Sequence, residues 1–258
     1  AAMVDLSLRG QYDEAARLLR LSRPADARDV CLRILEAFPR HVATYALLGH
    51  AYARLGRREE AANLFARVLA ADPECCSAHA GLAAICERCG DTERALWHYQ
   101  VACDVAPGDP DARAGYLRVR GLVDGHVPRS VRLSRAGLAR AYGRGRLYDL
   151  AVREYGELLS LDPERFDLRV GLAEMLWRAH RTDEAAAVCQ DLLTRLPNCL
   201  KAGLILGQVW LGTDRDAFAR TLLGLLRAVP PGNFSALNDE IQGQKGSVQT
   251  PVDWLDPD

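Results

Sequence analysis

Apolar and small residues recur along the chain at helical spacing, in paired short segments separated by polar turns. Residues 42–75 show the pattern most clearly, because the first segment ends at Gly56 and the second ends at Pro73. Glycine and proline are residue types that end helices. Spacings of three and four residues place apolar side chains on one face of a helix, so the stretch predicts two helices joined by a tight turn. Its defining positions are Tyr45, Leu48, Gly49, Tyr52, Ala61 and Phe65.

The same pattern returns at intervals of 34 residues, and prolines mark the period. The order of aromatic, Leu-Gly, Tyr, Ala, Phe and Pro positions resembles the tetratricopeptide repeat. This resemblance implies an all-α, right-handed superhelical solenoid of helix–turn–helix repeats, in which units stack to bury their apolar faces. The prolines are Pro39, Pro73, Pro107, Pro163, Pro197 and Pro231. The six predicted units are residues 8–41, 42–75, 76–109, 132–165, 166–199 and 200–233.

The regular spacing breaks once, because the step from Pro107 to Pro163 is 22 residues longer than one unit. Residues 110–123 predict a solvating helix that closes the first three-repeat stack, with Asp109 as its cap. Two interpretations of residues 110–131 stay open: a hinge between two three-repeat lobes, or a degenerate repeat that stacks continuously. The predicted division of the chain is 1–124, 125–233 and an acidic C-terminal tail, 234–258.

The tail carries five acidic residues against one lysine, which gives it a net charge of −4. Its end holds an aromatic and an aliphatic residue, Trp254 and Leu255, flanked by aspartates. An aromatic anchor with flanking acids is a plausible ligand for a groove that bears arginines. We therefore expect the tail to dock in such a groove, in its own chain or in a second copy, where it would mediate self-association.

The chain has a net charge of −1, and 49% of its residues are hydrophobic and 26% are charged. These values are ordinary for a folded protein and exclude few classes of function. No apolar run is long enough to span a membrane and no signal-peptide pattern opens the sequence, so the expected location is cytoplasmic. Of the 33 basic residues, all but Lys201 and Lys245 are arginine, which indicates a bacterial source with high GC content.

The sequence contains no catalytic motif, so we expect neither enzyme activity nor a bound cofactor or metal ion. Eight cysteines include a Cys-x-x-Cys spacing at Cys86 and Cys89. However, Cys86 falls where the repeat normally has its core tyrosine, and Cys31 and Cys189 fall where it has phenylalanine. Buried cysteines behave as small apolar side chains, and this is the expected role. A metal or redox site is the alternative.

By the same resemblance, the second, fifth, ninth, twelfth and thirteenth places of each unit face the inner groove. A ladder of arginines at the thirteenth place suits carboxylates or phosphates, because guanidinium groups bind them at two points. Alternatively, these arginines only solvate helix ends. Trp177, Leu204 and Leu211 would supply apolar anchors. The predicted partner-binding residues are Tyr12, Arg20, His50, Arg54, Arg88, Arg140, Arg144, Glu174, Trp177, Arg178, Lys201, Leu204, Gln208 and Leu211.

These features together predict a non-enzymatic scaffold or adaptor that binds an extended or helical, acidic segment of another protein in its groove. One alternative is a regulatory or substrate-recruiting domain of a larger enzyme. Another is an anionic polymer binder, since six arginines and no acidic residue lie between Gly125 and Tyr148. Few aromatic residues accompany these arginines for base stacking, so we do not expect nucleic acid as the partner.

Overall fold

The computed structural model describes residues 8–211 and, beyond them, residues 215, 217, 219 and 220. This part of the chain forms twelve α-helices and no strand. It confirms the predicted all-α solenoid of helical repeats. The helices are α1 (Leu8–Arg20), α2 (Pro24–Ala37), α3 (Val42–Arg54), α4 (Arg58–Ala71), α5 (Cys76–Arg88), α6 (Thr92–Val105), α7 (Pro110–Asp124), α8 (Arg135–Arg144), α9 (Tyr148–Leu161), α10 (Phe166–Arg178), α11 (Thr182–Arg195) and α12 (Leu200–Trp210).

The five units that the structure describes in full are helical hairpins, and in each of them the turn has one residue with left-handed backbone. The two helices of a hairpin pack on each other, and the second packs on the first helix of the next unit. Gly56 and Gly90 have φ of 83° and 78°, as the sequence predicts for glycines at this turn. The same place in three other units holds Ser22, Arg146 and His180, also with positive φ. The turn geometry is therefore kept even where glycine is missing.

Aromatic rings on the second helices fit against glycines on the following first helices. Phe65 on α4 is fully buried, and a Cβ added at Gly49 on α3 or at Gly81 on α5 would overlap its ring. The same relation, a glycine 16 residues after the ring, joins Tyr99 to Gly115 and Tyr155 to Gly171. Close approach of neighbouring units thus depends on the missing side chain of each glycine.

Helix α7 takes the place of the first helix of a further unit. It packs on α6 and α5 as α5 packs on α4 and α3. Asp109 accepts a hydrogen bond from the Ala112 N–H at 2.8 Å, and Gly125 ends the helix with φ of 73°. The Gly115 contact with Tyr99 is the regular ring-on-glycine contact, now made by this extra helix. The predicted division into two lobes stays a prediction.

Helix α8 also packs on α6, through a polar contact. Asp104 on α6 is buried and accepts hydrogen bonds from the Ser134 hydroxyl and, at 3.2 Å, from the Ser134 N–H. Ser134 in turn caps α8, since its hydroxyl accepts from the Gly137 N–H at 3.2 Å. The fourth predicted unit starts at residue 132, but its first helix starts only at Arg135 because Ser134 serves as this cap.

We predict that Gly81→Ala lowers the free energy of unfolding by about 2 kcal/mol, because the new methyl group must displace the buried ring of Phe65. Urea unfolding followed by circular dichroism measures the effect. Gly156→Ala is the matched control: it lies inside α9, nothing is within 4 Å of its added Cβ, and it should raise stability by about 0.5–1 kcal/mol. Equal effects at both positions would contradict the ring-on-glycine account.

Candidate functional site

Charged side chains from distant parts of the chain meet in one cluster, which we name the central ion-pair cluster. Lys201 Nζ on α12 lies 2.6 Å from Glu74 Oε2 in the α4–α5 turn. Arg140 Nε on α8 donates to Glu74 Oε1 at 3.2 Å, and its Nη2 donates to Asp167 on α10 at 2.9 Å. Lys201 also pairs with Glu174 on α10. The cluster consists of Glu74, Arg140, Arg165, Asp167, Glu174 and Lys201.

A tight polar turn holds Glu74 in position. The Asp72 carboxylate accepts a hydrogen bond from the Glu74 N–H at 3.1 Å, and the Asp72 carbonyl accepts from the Cys75 N–H at 3.0 Å. Proline at position 73 restricts the backbone between them. The Glu74 side chain is 14% exposed. It extends into the cluster from a backbone that the turn holds in place.

Burial and ion pairing act against each other in the cluster. Burial alone would raise the pKa of Asp167, but the guanidinium groups of Arg165 and Arg140 outweigh it and hold that pKa below its usual value. Burial likewise opposes the charge on Lys201, and the carboxylates of Glu74 and Glu174 raise the pKa of Lys201 above its usual value. Asp167 and Lys201 therefore stay ionised near neutral pH, each dependent on its partners.

One polar atom of the cluster has no hydrogen-bond partner within the described part of the chain. Arg140 is 7% exposed, and its Nη1 is fully buried without an acceptor. A guanidinium group donates through five N–H bonds, and here Nε and Nη2 are engaged while Nη1 is not. Arg140 Nη1 therefore retains capacity for one more acceptor oxygen.

A buried histidine pair lies next to the cluster. His79 Nε2 faces the Pro73 carbonyl at 3.1 Å, so this nitrogen carries the proton and donates. His79 Nδ1 then accepts from His98 Nδ1 at 3.0 Å. Trp97 packs edge-on against both rings, and the Arg165 guanidinium lies 5.2 Å from the centre of the Trp97 ring. The pair links the α4–α5 turn to α6 and, through Trp97, to the cluster.

In the first half of the chain, most predicted groove residues are engaged with their own neighbours. Arg54 donates to the Leu19 carbonyl and Arg88 to the Ala53 carbonyl, the latter at 3.3 Å. Both carbonyls lie in the last turn of the preceding first helix, so these two arginines donate to helix ends, and their role in partner binding stays a prediction. His50 hydrogen-bonds the Ser77 hydroxyl at 2.8 Å. Tyr12, half-buried, packs edge-on against His41 and on the core.

In the second half, the predicted groove residues divide between the cluster and solvent. Arg140, Glu174 and Lys201 belong to the central ion-pair cluster, and Arg178 pairs with Glu174 at 2.5 Å. Arg144 on α8 is exposed and has no ion pair among the described residues, and the same holds for Arg20 on α1 in the first half. Trp177 is half-buried, whereas Leu204, Gln208 and Leu211 are exposed. A role of these residues in partner binding stays a prediction.

The arginine-rich stretch between Gly125 and Tyr148 does not form one continuous basic surface. Arg140 is buried in the cluster, and Arg135 pairs with Glu154 and Glu157 on α9, at 2.7 and 2.6 Å. Two of its six arginines are thus neutralised within the fold. Trp254 and Leu255, the predicted tail anchors, lie outside the described residues.

The cysteines in the described part of the chain are free thiols, and most are buried. Burial raises the pKa of Cys31 and of Cys189 to about 12, so both remain protonated at neutral pH. This state agrees with the packing role that their positions predict. Among the described residues, His, Cys, Asp and Glu side chains nowhere form a group of three that could hold a metal ion. Nor does any helix in that part combine the length and apolar character needed to cross a membrane.

Sequence reasoning missed Glu74, the residue that bridges the two basic side chains. Its turn, Asp72-Pro73-Glu74, has the same sequence and place in its unit as Asp162-Pro163-Glu164. The Glu164 side chain is 68% exposed and pairs only with Arg195 among the described residues, at 2.6 Å. No local signal separates the two glutamates, because the difference lies in which helix faces each turn.

Comparison with known proteins matches a family model described as tetratricopeptide repeat to residues 46–110 and 137–198. One similar solved structure is the TPR2AB domain–pHSP90 complex of yeast Sti1, with 16% identity, 92% of this chain and 95% of that chain covered, and a TM-score of 0.39. Another is a thermophilic tetratricopeptide repeat protein of Thermus thermophilus, with 19% identity, coverage of 80% and 100%, and a TM-score of 0.41. No curated protein matches the chain.

We predict that acid weakens the fold through the histidine pair. Burial, followed by the neighbouring His79, lowers the pKa of His98 to about 4, and burial lowers the pKa of His79. Below the usual histidine pKa of about 6.5, the unfolded chain binds protons at these two histidines, whereas the buried pair in the folded chain does not. The free energy of unfolding therefore falls as the pH falls from there towards 4. We expect the free energy of unfolding to drop by about 2 kcal/mol between about pH 7 and pH 5.

The measurement is urea unfolding across this pH range. His98→Gln, whose amide can still donate to His79, should remove most of the drop. His126→Gln, at an exposed position, should leave the drop unchanged. A drop that is the same in both variants would show that the buried pair does not cause it.

Proposed function

Because this chain belongs to the tetratricopeptide repeat family, we propose that it is a non-enzymatic scaffold that binds a segment of another protein along its inner face. Tetratricopeptide repeats generally serve protein–protein interaction, and the stacked helices offer an extended surface for it. The bound segment is extended or helical and carries acidic residues.

The exposed stripe on α12 is the observation that supports this proposal. Four residues at spacings of three, four and three share one face of the helix. Leu204 and Leu211 in this stripe are each 41% exposed, although they sit at places that face inward in this family. Apolar side chains presented at such a surface are suited to be contact anchors for a partner. The α12 stripe consists of Lys201, Leu204, Gln208 and Leu211.

The charges along the inner face favour an acidic partner. The α12 stripe begins at Lys201, one of the two cations that hold Glu74. Arg20 and Arg144 are exposed and have no ion pair within the described residues, so both can contact carboxylates of a partner. Arginine–carboxylate contacts at the rim of an interface contribute more to orientation and association rate than to affinity. Leu204 and Leu211 would therefore supply most of the binding energy.

A regulatory or substrate-recruiting domain of a larger enzyme would use the same surface in the same way, so this alternative differs only in what else the whole protein carries. Docking of the acidic tail on the inner face, in one chain or between two copies, would compete with the partner for that surface. The bacterial source and cytoplasmic location expected from the sequence stay predictions.

We predict that a photo-crosslinking residue at position 204 captures a partner protein, whereas the same residue at position 161 captures none. Leu161 ends α9, the second helix of its unit, and is 77% exposed, so it is the more accessible of the two. Crosslinking is done with the full chain expressed in its source cells, and adducts are identified by mass spectrometry. Equal adducts at both positions, or none at position 204, would contradict binding along the α12 stripe.

A further inference from the structure

We propose that Arg140 and Lys201 form a carboxylate-binding site which Glu74 occupies from within the chain, and that an acidic side chain of the partner replaces Glu74. This inference rests on the proposed function and specifies it further. The partner segment would carry apolar residues for the α12 stripe and an acidic residue next to them. Glu74 then acts as an intramolecular competitor that occupies the site until such a segment binds.

The Glu74 carboxylate bridges two cations but uses them incompletely. Its Oε2 lies 2.6 Å from Lys201 Nζ, whereas its Oε1 reaches only Arg140 Nε, at 3.2 Å. The buried Nη1 of Arg140 has no partner among the described residues. The Nη2 group next to Nε is engaged by Asp167, so Glu74 contacts Arg140 through Nε alone. A partner carboxylate therefore has to replace only one hydrogen bond to Arg140 and one ion pair to Lys201.

Departure of Glu74 leaves neither cation without a partner. Arg140 keeps Asp167 and Lys201 keeps Glu174, and both of these acids lie on α10. The exchange therefore breaks the contacts of Glu74 with Arg140 and Lys201, and a partner carboxylate takes the place of Glu74 at both cations. Leaving a buried charge unpaired would make such an exchange costly, and here that cost is avoided.

The turn that carries Glu74 forms without help from its side chain. In the equivalent turn, the Glu164 N–H donates to the Asp162 carboxylate at 3.2 Å while its own carboxylate lies in solvent. Glu74 can therefore leave Arg140 and Lys201 without unfolding the turn. The same comparison makes Glu164 a matched control, because both glutamates follow Asp-Pro in the same turn and differ in their surroundings.

The position of Lys201 links the site to the α12 stripe. Lys201 lies one turn before Leu204 on the same face of α12. A segment that packs on Leu211 and Leu204 and continues in the same direction would bring its next residues to Lys201. Apolar anchors and the carboxylate site are thus parts of one surface, which defines the partner chemistry as apolar residues followed by glutamate or aspartate.

The test uses the full chain and a fluorescein-labelled peptide that alternates leucine and glutamate. A matched peptide has glutamine in place of glutamate. We expect Glu74→Gln to bind the acidic peptide roughly tenfold more tightly than the unmodified chain, because more molecules have the site open. Glu164→Gln should bind it as the unmodified chain does. Adding Lys201→Gln to Glu74→Gln should abolish the gain. Fluorescence anisotropy measures all four proteins.

Hydrogen–deuterium exchange at residues 72–75 and 200–203 reports independently whether the site has opened and whether each variant is folded. Faster exchange in Glu74→Gln together with unchanged binding of the acidic peptide would overturn the inference. An equal gain for the glutamine peptide would overturn it too, because the site would not select carboxylates. If position 204 captures a partner while Glu74→Gln changes nothing, the inference fails and the scaffold function stands. If neither the crosslinking at position 204 nor the peptide binding of Glu74→Gln gives the expected result, the proposed scaffold function is contradicted as well.

Discussion

The carboxylate of Glu74 connects parts of the chain that a repeat array would otherwise leave apart. In a solenoid each unit contacts its neighbours, yet Glu74 meets Arg140 and Lys201, and Lys201 lies 127 residues further along the chain. Leu200, beside Lys201, packs on the core of the first units, so an apolar contact accompanies the ion pairs. Glu74 is therefore the ionic link between the first units and the later helices, while Arg140 and Lys201 each keep a second acid on α10.

The stacked helices could be predicted from the sequence because their packing residues recur at a fixed period. Each ring that enters the next unit is followed 16 residues later by the glycine that accepts it, as Phe65 and Gly81 show. This spacing also explains why α7 joins the stack: Gly115 stands at the same distance from Tyr99. The later start of α8 could not be predicted, because it depends on the contact between Ser134 and Asp104, which the helical period does not encode.

The candidate site could be predicted only in part, because the repeat period indicates which residues face inward but not what each of them contacts. Inner-face positions follow from the period, and three of the residues predicted there, Arg140, Glu174 and Lys201, meet in the central ion-pair cluster. What each charge contacts depends on which distant helix faces it. The period therefore could not distinguish arginines at helix ends, such as Arg54, from one buried in an ion pair. Glu74 and Glu164 share a turn sequence and differ in the side chains that face them.

The most direct test of this account is a double-mutant cycle between Glu74 and Lys201, measured by urea unfolding of the full chain. The account predicts a favourable coupling free energy above about 1 kcal/mol, because the pair is largely shielded from water and joins distant helices. The Glu164–Arg195 pair has the same 2.6 Å separation but is exposed, and its cycle should give less than about 0.5 kcal/mol. Equal coupling in the two cycles would contradict the claim that Glu74 links the first units to the later helices.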